Sequence, residues 1–470
     1  SLIWRSADQD GDLLVTSTQT GYTRGWRADG TGPLPLGIGV TAPPAIGRPG
    51  PGKDLLLVCE MDGEVHLRDT DWSEPDGWPV LLPGNAEGVA CLVSSRLGVI
   101  AVADDMERVN LFDADGSQMS GWPKPVQAPV IGLAVLPDED EPGIIAATMD
   151  GRLYLWRLSG ESFAGWPVSP GSELMGQPIS ADIDRNGSPD VISVNGSSVY
   201  AYETNGSLMP GFPADVRMGP LSSPFLADPD RNGRLDIIVS SGVGLSAVGP
   251  SGSTLTDWPV LMELDTLSTG FTGSSSGTGG SGFVLAATDD GRICRFDASG
   301  SQQGIFPVAI GDNPIGRPLL WDPEDDGTWR LAAADTSGSI YCWSGVPAPE
   351  GWFTGLDMSG ENCWWSSDLP PLVQAGDTLE DGSFFVYPNP VSDGAGIVRF
   401  HPGEECTWEI RIFNMAGELV TFENGNAPGG AAWEVPWETS DLAPGIYLVT
   451  LRLETASGPM DALFHAAVVN

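Results

Sequence analysis

Gly77-Trp78-Pro79-Val80, Gly121-Trp122-Pro123-Lys124 and Gly165-Trp166-Pro167-Val168 are three statements of one phrase. Looser versions follow as Gly211-Phe212-Pro213-Ala214, Asp257-Trp258-Pro259-Val260 and Ile305-Phe306-Pro307-Val308. Their prolines stand 44, 44, 46, 46 and 48 residues apart. One step back from Pro79 lies Pro35, and one step beyond Pro307 lies Gly351-Trp352-Phe353. That makes eight repeat ends over about 360 residues, a period that belongs to stacked or radial arrays.

Between the phrases the same grammar recurs. An apolar run such as Leu55-Leu56-Leu57-Val58, Ile144-Ile145-Ala146-Ala147 or Ile237-Ile238-Val239 reads as a buried strand. A turn pair follows, as Asp62-Gly63, Asp150-Gly151, Asn195-Gly196 or Asp290-Gly291, and predicts a two-residue type I′ hairpin loop. An alternating strand comes next, as Leu153-Tyr154-Leu155-Trp156 or Ile340-Tyr341-Cys342-Trp343. A second turn, Asp115-Gly116, Asn205-Gly206 or Ser299-Gly300, leads into the closing phrase. The proline there suits a strand edge, where a missing N–H costs no ladder bond.

Four short strands in about 45 residues, repeated radially, make a propeller blade. The opening Leu2-Ile3-Trp4 through Trp26 parallels Leu319-Leu320-Trp321 through Trp343, so the first repeat is whole. The expected fold is all-β: an eight-bladed β-propeller over residues 1–365, with seven blades as the alternative. A polar linker at 366–383 and a small immunoglobulin-like β-sandwich at 384–470 follow. The recurring tryptophans are expected to fill the wedges between blades.

Two repeats carry a dense acidic loop between their first two strands. The first gives Asp182, Asp184, Asn186, Gly187, Ser188 and Asp190; the second gives Asp228, Asp230, Asn232, Gly233, Arg234 and Asp236. Both read D-x-D-x-N-G-x-x-D, with side-chain oxygens at positions 1, 3, 5 and 9. With the backbone carbonyls of Ser188 and Arg234 at position 7, each loop can wrap a hard cation, and Ca²⁺ is the expected cofactor. An EF-hand needs a glutamate at position 12, where this chain has Ser193 and Val239 inside β-branched strands. A cation-free Asx-rich turn is the competing reading. Elsewhere the pattern decays: Asp322, Glu324 and Asp326 are followed by Arg330, and Asp8, Asp10 and Asp12 are compressed.

The acidic loop within a Gly-Trp-Pro-ending repeat resembles the FG-GAP/VCBS-type repeats of integrin-like propellers. That resemblance implies structural Ca²⁺ and an adhesion or recognition role in a secreted protein. Downstream, Tyr387-Pro388-Asn389-Pro390, Ile412-Phe413-Asn414 with Gly417, and Ala443-Pro444-Gly445-Ile446-Tyr447 resemble the C-terminal sorting domain of type IX secretion substrates, close to the FlgD-like immunoglobulin fold. This implies the export machinery as a partner and an extracellular or outer-surface location in a bacterium. One departure is that the last residues, Ala466 to Asn470, contain no Lys or Arg.

Composition narrows the partners. The chain of 470 residues carries 63 acids against 22 bases, a formal charge of −41, and only Lys53 and Lys124 as lysines. A polyanion needs a basic footprint, so nucleic acid is excluded; an unidentified protein or glycan is the expected ligand. No stretch of about 18 apolar residues occurs, so no transmembrane helix is expected. Ser1 opens directly into a strand, as in a mature form or a piece of a longer chain. Six cysteines are scattered without a C-x-x-C; Cys294 and Cys342 occupy what read as equivalent points of adjacent repeats, where a disulfide is one option.

The histidines are only His66, His401 and His465, and none stands in a Ser/His/Asp setting. No enzyme is therefore expected. The alternative is a carbohydrate-active propeller of the polysaccharide-lyase kind, or an accessory part of a larger secreted enzyme. Trp352, Trp364 and Trp365 would be its sugar-stacking platform, against ordinary core packing.

Overall fold

Each repeat folds into an antiparallel meander, because short apolar runs separated by glycine turns can pair only with their neighbours. The computed structural model describes residues 2–4, 13–17, 23–27, 32, 34–37, 45–47, 49, 54–60, 63–69, 73–85, 91–171, 176–219, 221–229, 234–255, 258–261, 267–274, 283–288, 291–297, 300, 307–312, 314–321, 329–337, 339–346, 353–354, 384–387, 390–391, 394–400, 402, 405–414, 419–428, 433–440, 442–455 and 458–469. Trp352, Cys363, Trp364, Trp365 and the linker at 366–383 lie outside them. The chain divides into two compact units, one of Ser1–Ser275 with Gly282–Pro370, the other holding Pro371–Asn470.

Among the described residues, eight meanders follow one another in the first unit. Their first strands are Leu2–Trp4, Ala45–Gly47, Cys91–Ser94, Val130–Leu136, Ile179–Ala181, Phe225–Ala227, Leu267–Ser274 and Pro314–Trp321. Second and third strands are exemplified by Leu55–Cys59 with Glu64–Arg68, Val99–Asp104 with Arg108–Asp113, and Gly143–Thr148 with Leu153–Arg157. Fourth strands are short, as Val80–Leu81, Lys124–Pro125, Ala214–Asp215 and Val260–Leu261. The first strands touch in succession from Leu2–Trp4 to Ile179–Ala181 and again from Phe225–Ala227 to Pro314–Trp321, and this last strand lies against Leu2–Trp4. The architecture is a β-propeller.

Three details depart from the sequence reading. Residues Phe353–Thr354, expected to end the eighth repeat, pair instead with the first strand of the seventh meander through Gly273↔Thr354 and Ser274↔Phe353. That strand is eight residues long and leaves its edge open to a partner. The Asp-Gly turns are three-residue loops rather than type I′ pairs: Thr148 N–H donates to Arg152 O at 2.9 Å across Met149-Asp150-Gly151, and only Gly151 has positive φ, at 87°. This is a type I turn closed by a left-handed residue. Asn195-Gly196 does belong to a two-residue loop, but the closing pair is Asn195↔Ser198 and glycine sits first, the type II′ arrangement. Lastly, no disulfide joins Cys294 and Cys342. Their ladders pair Cys294 with Ala286 and Cys342 with Ala332. Ala333↔Tyr341 is the pair equivalent to Ala286↔Cys294, so the cysteines are offset by one residue, one buried and the other exposed, on opposite faces of the pleat.

The Gly-Trp-Pro phrase joins successive meanders. Trp78, Trp122 and Trp166 are 7, 7 and 8 % exposed. Each indole N–H donates to a carbonyl in the outer turn of the next meander: Trp78 to Ala114 at 3.0 Å, Trp122 to Leu158 at 2.8 Å and Trp166 to Thr204 at 2.8 Å. Each ring also packs edge-on against the next third strand, on Phe112, Trp156 and Tyr202. The preceding glycine cannot be replaced without movement. Gly121 has φ 87°, and a Cβ there would stand 2.1 Å from the Ser159 carbonyl oxygen. Tryptophan thus does fill the wedge between blades, with a directed hydrogen bond added.

Among the described residues, the second unit has seven strands in two sheets: Phe384–Tyr387, Ala395–Phe400 and Trp433–Glu438 in one, and Leu419–Ala427, Cys406–Asn414, Gly445–Thr455 and Gly458–Val468 in the other. Strict alternation along Cys406–Asn414 and Gly445–Thr455 sends Trp408, Ile410, Ile412, Tyr447, Val449 and Leu451 into a single core with Phe400 and Trp437. The Tyr447 hydroxyl donates back to the Ala443 carbonyl at 2.7 Å, which accounts locally for the Ala-Pro-Gly-Ile-Tyr motif.

Candidate metal centre

The first acidic loop joins the strands Ile179–Ala181 and Asp190–Asn195 of the fifth meander. Ala181 pairs with Asp190 across the ladder, so the chain must turn within the residues between them. The carboxylates supply that turn. Asn186 N–H is 3.0 Å from both Asp182 Oδ1 and Asp184 Oδ1, and Gly187 N–H donates to Asp182 Oδ2 at 2.9 Å. These are Asx-type bonds, in which a short side chain accepts from the backbone just ahead of it. Gly187 has φ 91° with open space where a Cβ would be, so it is the positive φ of the turn, not crowding, that calls for glycine there. Beneath the loop, Asp190 is 1 % exposed; its Oδ2 accepts from Ile183 N–H at 3.1 Å and its carbonyl accepts from Ser180 Oγ at 2.7 Å.

Asp182, Asp184 and Asp190 come together with carboxylate oxygens within 4.8 Å of one another. Asn186 turns its amide differently: Nδ2 donates to Asp184 Oδ2 at 3.1 Å, while Oδ1 accepts from Ser188 N–H at 2.7 Å. Its oxygen therefore faces the backbone and not the carboxylates. The electrostatics follow from the crowding. Burial, reinforced by the charge of Asp184, pushes the Asp190 carboxyl up to about 8. Asp182 is also raised, by burial first, against the lowering pull of the Gly187 and Asn186 N–H groups.

The second loop has the same frame. Ala227 pairs with Asp236 as Ala181 pairs with Asp190, and Asp228 and Asp236 are 3 and 1 % exposed. Asp230 and Asn232 lie outside the described residues. Arg234 is exposed, and its Nη1 donates to the Asp184 carbonyl of the first loop at 3.4 Å. In return, Arg185 of the first loop feels the charge of Asp228, while burial lowers its own affinity for a proton. The two loops are thus neighbours that exchange arginines, which their sequence spacing of one repeat did not reveal.

A donor set of three carboxylates suits a hard divalent cation such as Ca²⁺, which takes oxygen ligands. Without one, Asp190 must hold a proton at neutral pH or charge against its neighbours. The residues present fit the ion, with Asp182, Asp184 and Asp190 as the ligands already gathered.

In fold, the chain is similar to the yeast protein Sqt1 from Saccharomyces cerevisiae, at 14% identity over 84% of this chain and 97% of that one with a TM-score of 0.50. It is also similar to BamB from Moraxella catarrhalis, at 18% identity over 73% of this chain and 95% of that one, TM-score 0.49. The BBS1N part of a complex with ARL6DN matches at 12% identity over 64% and 90%, TM-score 0.43. At such identities the likeness speaks for fold alone. No curated protein matches the chain in sequence. Among the described residues no helix is long and apolar enough to cross a membrane. Residues 385–458 match the secretion system C-terminal sorting domain, the tail that sends a protein through type IX secretion to the cell surface or the extracellular space.

Proposed function

We propose that this exported propeller is a recognition module, held rigid by Ca²⁺ in its acidic loops, that binds a protein or glycan partner at the cell surface. The observation that carries the reading is the pairing of a sorting tail at 385–458 with a propeller unit. A propeller offers loops on a stiff frame, and function concentrates on such loops. The D-x-D-x-N-G-x-x-D loops are what connects this propeller to the FG-GAP/VCBS kind.

Calcium acts on stability in this reading, not on chemistry. Its ligands come from one short loop, and a cation there neutralises Asp182, Asp184 and Asp190 while pinning the first strand of the meander to the second. The test is binding of the purified full chain to a glycan array and to the outer surface of its own host cells, with Ca²⁺ and with chelator, alongside a uronate-lyase assay. Saturable binding that weakens on chelation supports the proposal. Turnover of a uronate polymer, or binding indifferent to Ca²⁺ removal, overturns it.

A further inference from the structure

Two cysteines that the sequence spacing did not pair meet at the junction of the second and third meanders. Cys59 ends the second strand of one, Leu55–Cys59, and Cys91 begins the first strand of the next, Cys91–Ser94. These two strands lie against one another. Along Leu55–Cys59, alternation puts Leu57 and Cys59 on one face of the pleat, and both join the core shared with the third meander. From the other side, Val93 points back at the second meander: a Cβ on Gly47 would stand 2.9 Å from Val93 Cγ1. Cys91 lies two residues before Val93 and shares that face. The two side chains are therefore aimed at each other, and their thiols share a hydrogen bond.

The other junctions show what these positions ordinarily contain. Cys59 pairs with Val65 next to the turn of its meander, as Ala103 pairs with Val109, Ala147 with Leu153 and Ala287 with Ile293. Cys91 pairs with Val102 as Leu133 pairs with Ala146 in the following meander. The junction of the third and fourth meanders thus fills the two positions with Ala103 and Leu133, both buried and both inert. Packing alone is satisfied by such a pair. The preceding junction replaces both members, and each replacement is a thiol.

We propose that Cys59 and Cys91 are oxidised to a disulfide that bolts the second meander to the third once the chain has left the cytoplasm. The sorting tail at 385–458 carries the chain out, and disulfides form and persist in the oxidising compartments beyond the inner membrane. The oxidant is another disulfide, of the thiol–disulfide exchange class. Cys91 is half-buried, whereas Cys59 is 1 % exposed, so Cys91 is the thiol that an oxidant reaches. Its thiolate attacks one sulfur of the oxidant and displaces the other as a thiol, leaving a mixed disulfide on Cys91. The Cys59 sulfur, already in contact, then attacks Cys91 Sγ and displaces the second oxidant sulfur. Two electrons and the two cysteine protons pass to the oxidant, which leaves as two thiols. Until that step Cys59 keeps its proton, held by the hydrogen bond to Cys91 and by burial.

The bond closes a loop between positions 32 apart and links two sheets that are otherwise joined by packing and by the Trp78 latch. Its gain is restriction of the unfolded chain, so it adds to stability without altering the folded core. It involves no residue of the acidic loops and is independent of both Ca²⁺ and the ligand.

The test uses the full chain exported by its own host, collected into N-ethylmaleimide so that thiols are trapped as they stand, then digested with trypsin without reduction. Cys59 falls in the peptide Asp54–Arg68 and Cys91 in Asp69–Arg96, and neither peptide holds a second cysteine. The expected species has the summed mass of the two less two hydrogens and separates into them on reduction. Reduction should also lower the thermal midpoint of the full chain by about 5 °C, the loop-closure entropy spread over a propeller of this size. Cys59→Ala installs the residue that the other meanders carry there, so it keeps the fold while losing both the link and the response to reduction. The two peptides recovered separately and alkylated overturn the proposal, as does either one joined to a third cysteine. So does a fall in midpoint on reduction that is as large in Cys59→Ala as in the wild type.

Discussion

Replacing Trp122 tests whether the Gly-Trp-Pro phrase is a structural latch. The side chain is 7 % exposed, packs edge-on to Trp156 with centroids 5.8 Å apart, and donates to Leu158 O at 2.8 Å. Truncation to alanine removes the buried ring, which costs about 3–5 kcal/mol including the aromatic pair. Trp122→Phe keeps most of the ring and deletes the N–H, leaving the Leu158 carbonyl without its donor at a cost of about 1–3 kcal/mol. Met149→Ala, at a side chain 58 % exposed, is the control and should stay within about 0.5 kcal/mol. Hydrogen exchange by mass spectrometry on the full chain reads the opening free energy locally. Peptides covering Arg108–Asp113 and Leu153–Arg157 should lose protection in the order alanine, then phenylalanine, then control. If Trp122→Ala shifts those segments by less than about 1 kcal/mol, the tryptophan is a surface group and the latch is wrong.

Calcium removal should lower the thermal midpoint at pH 7, and Asp190→Asn should abolish that response. In the cation-free chain the Asp190 carboxyl titrates near 8, against an ordinary carboxylate value in the unfolded state, so the folded state holds the extra proton. Stability is then greatest in acid and falls as pH climbs toward 8, a slope that calorimetry should find in the wild type and miss in Asp190→Asn. Gly121→Ala should destabilise by about 1–2 kcal/mol or more through its positive φ alone, with the Ser159 carbonyl clash added, as a urea melt would show. Cys59, buried against Cys91 and raised well above the usual thiol range by that thiol's hydrogen bond and by burial, should resist iodoacetamide until the chain unfolds; rapid labelling in native buffer would contradict the packing. Ending the chain at Pro370 should leave a folded propeller that stays inside the native host, as fractionation can check.

Strand order and hairpin positions were legible because both follow from local chemistry. Apolar runs and glycine turns specify a meander whatever surrounds it. Turn type was not, for a specific reason: Asp150-Gly151 looks like a two-residue loop only if Met149 is counted in the strand, as its apolar side chain suggests. Yet Met149 is 58 % exposed, and the ladder closes at Thr148 and Arg152. The acceptor of each tryptophan was equally hidden, since Leu158 lies 36 residues beyond Trp122 and only the stacking of meanders brings it near. In the first acidic loop, spacing correctly gathered Asp182, Asp184 and Asp190. Spacing did not show that the Asn186 amide oxygen accepts from Ser188 N–H, because an asparagine's two faces read alike in sequence.

Repeats make the chain its own control. Where one position serves the same framework in several meanders, the ordinary solution is visible, and a departure from it has to be explained by what the departing residue does. Arginine at positions 108, 152 and 292 supplies a cation at the turn between second and third strands. In the first acidic loop, Asp190 begins a strand whose equivalents Leu55, Val99 and Gly143 are apolar or carry no side-chain charge. A carboxylate with 1 % exposure at a position the fold can fill without charge is a cost to the framework; a proton offsets it in the cation-free chain, and the proposed Ca²⁺ would offset it without one.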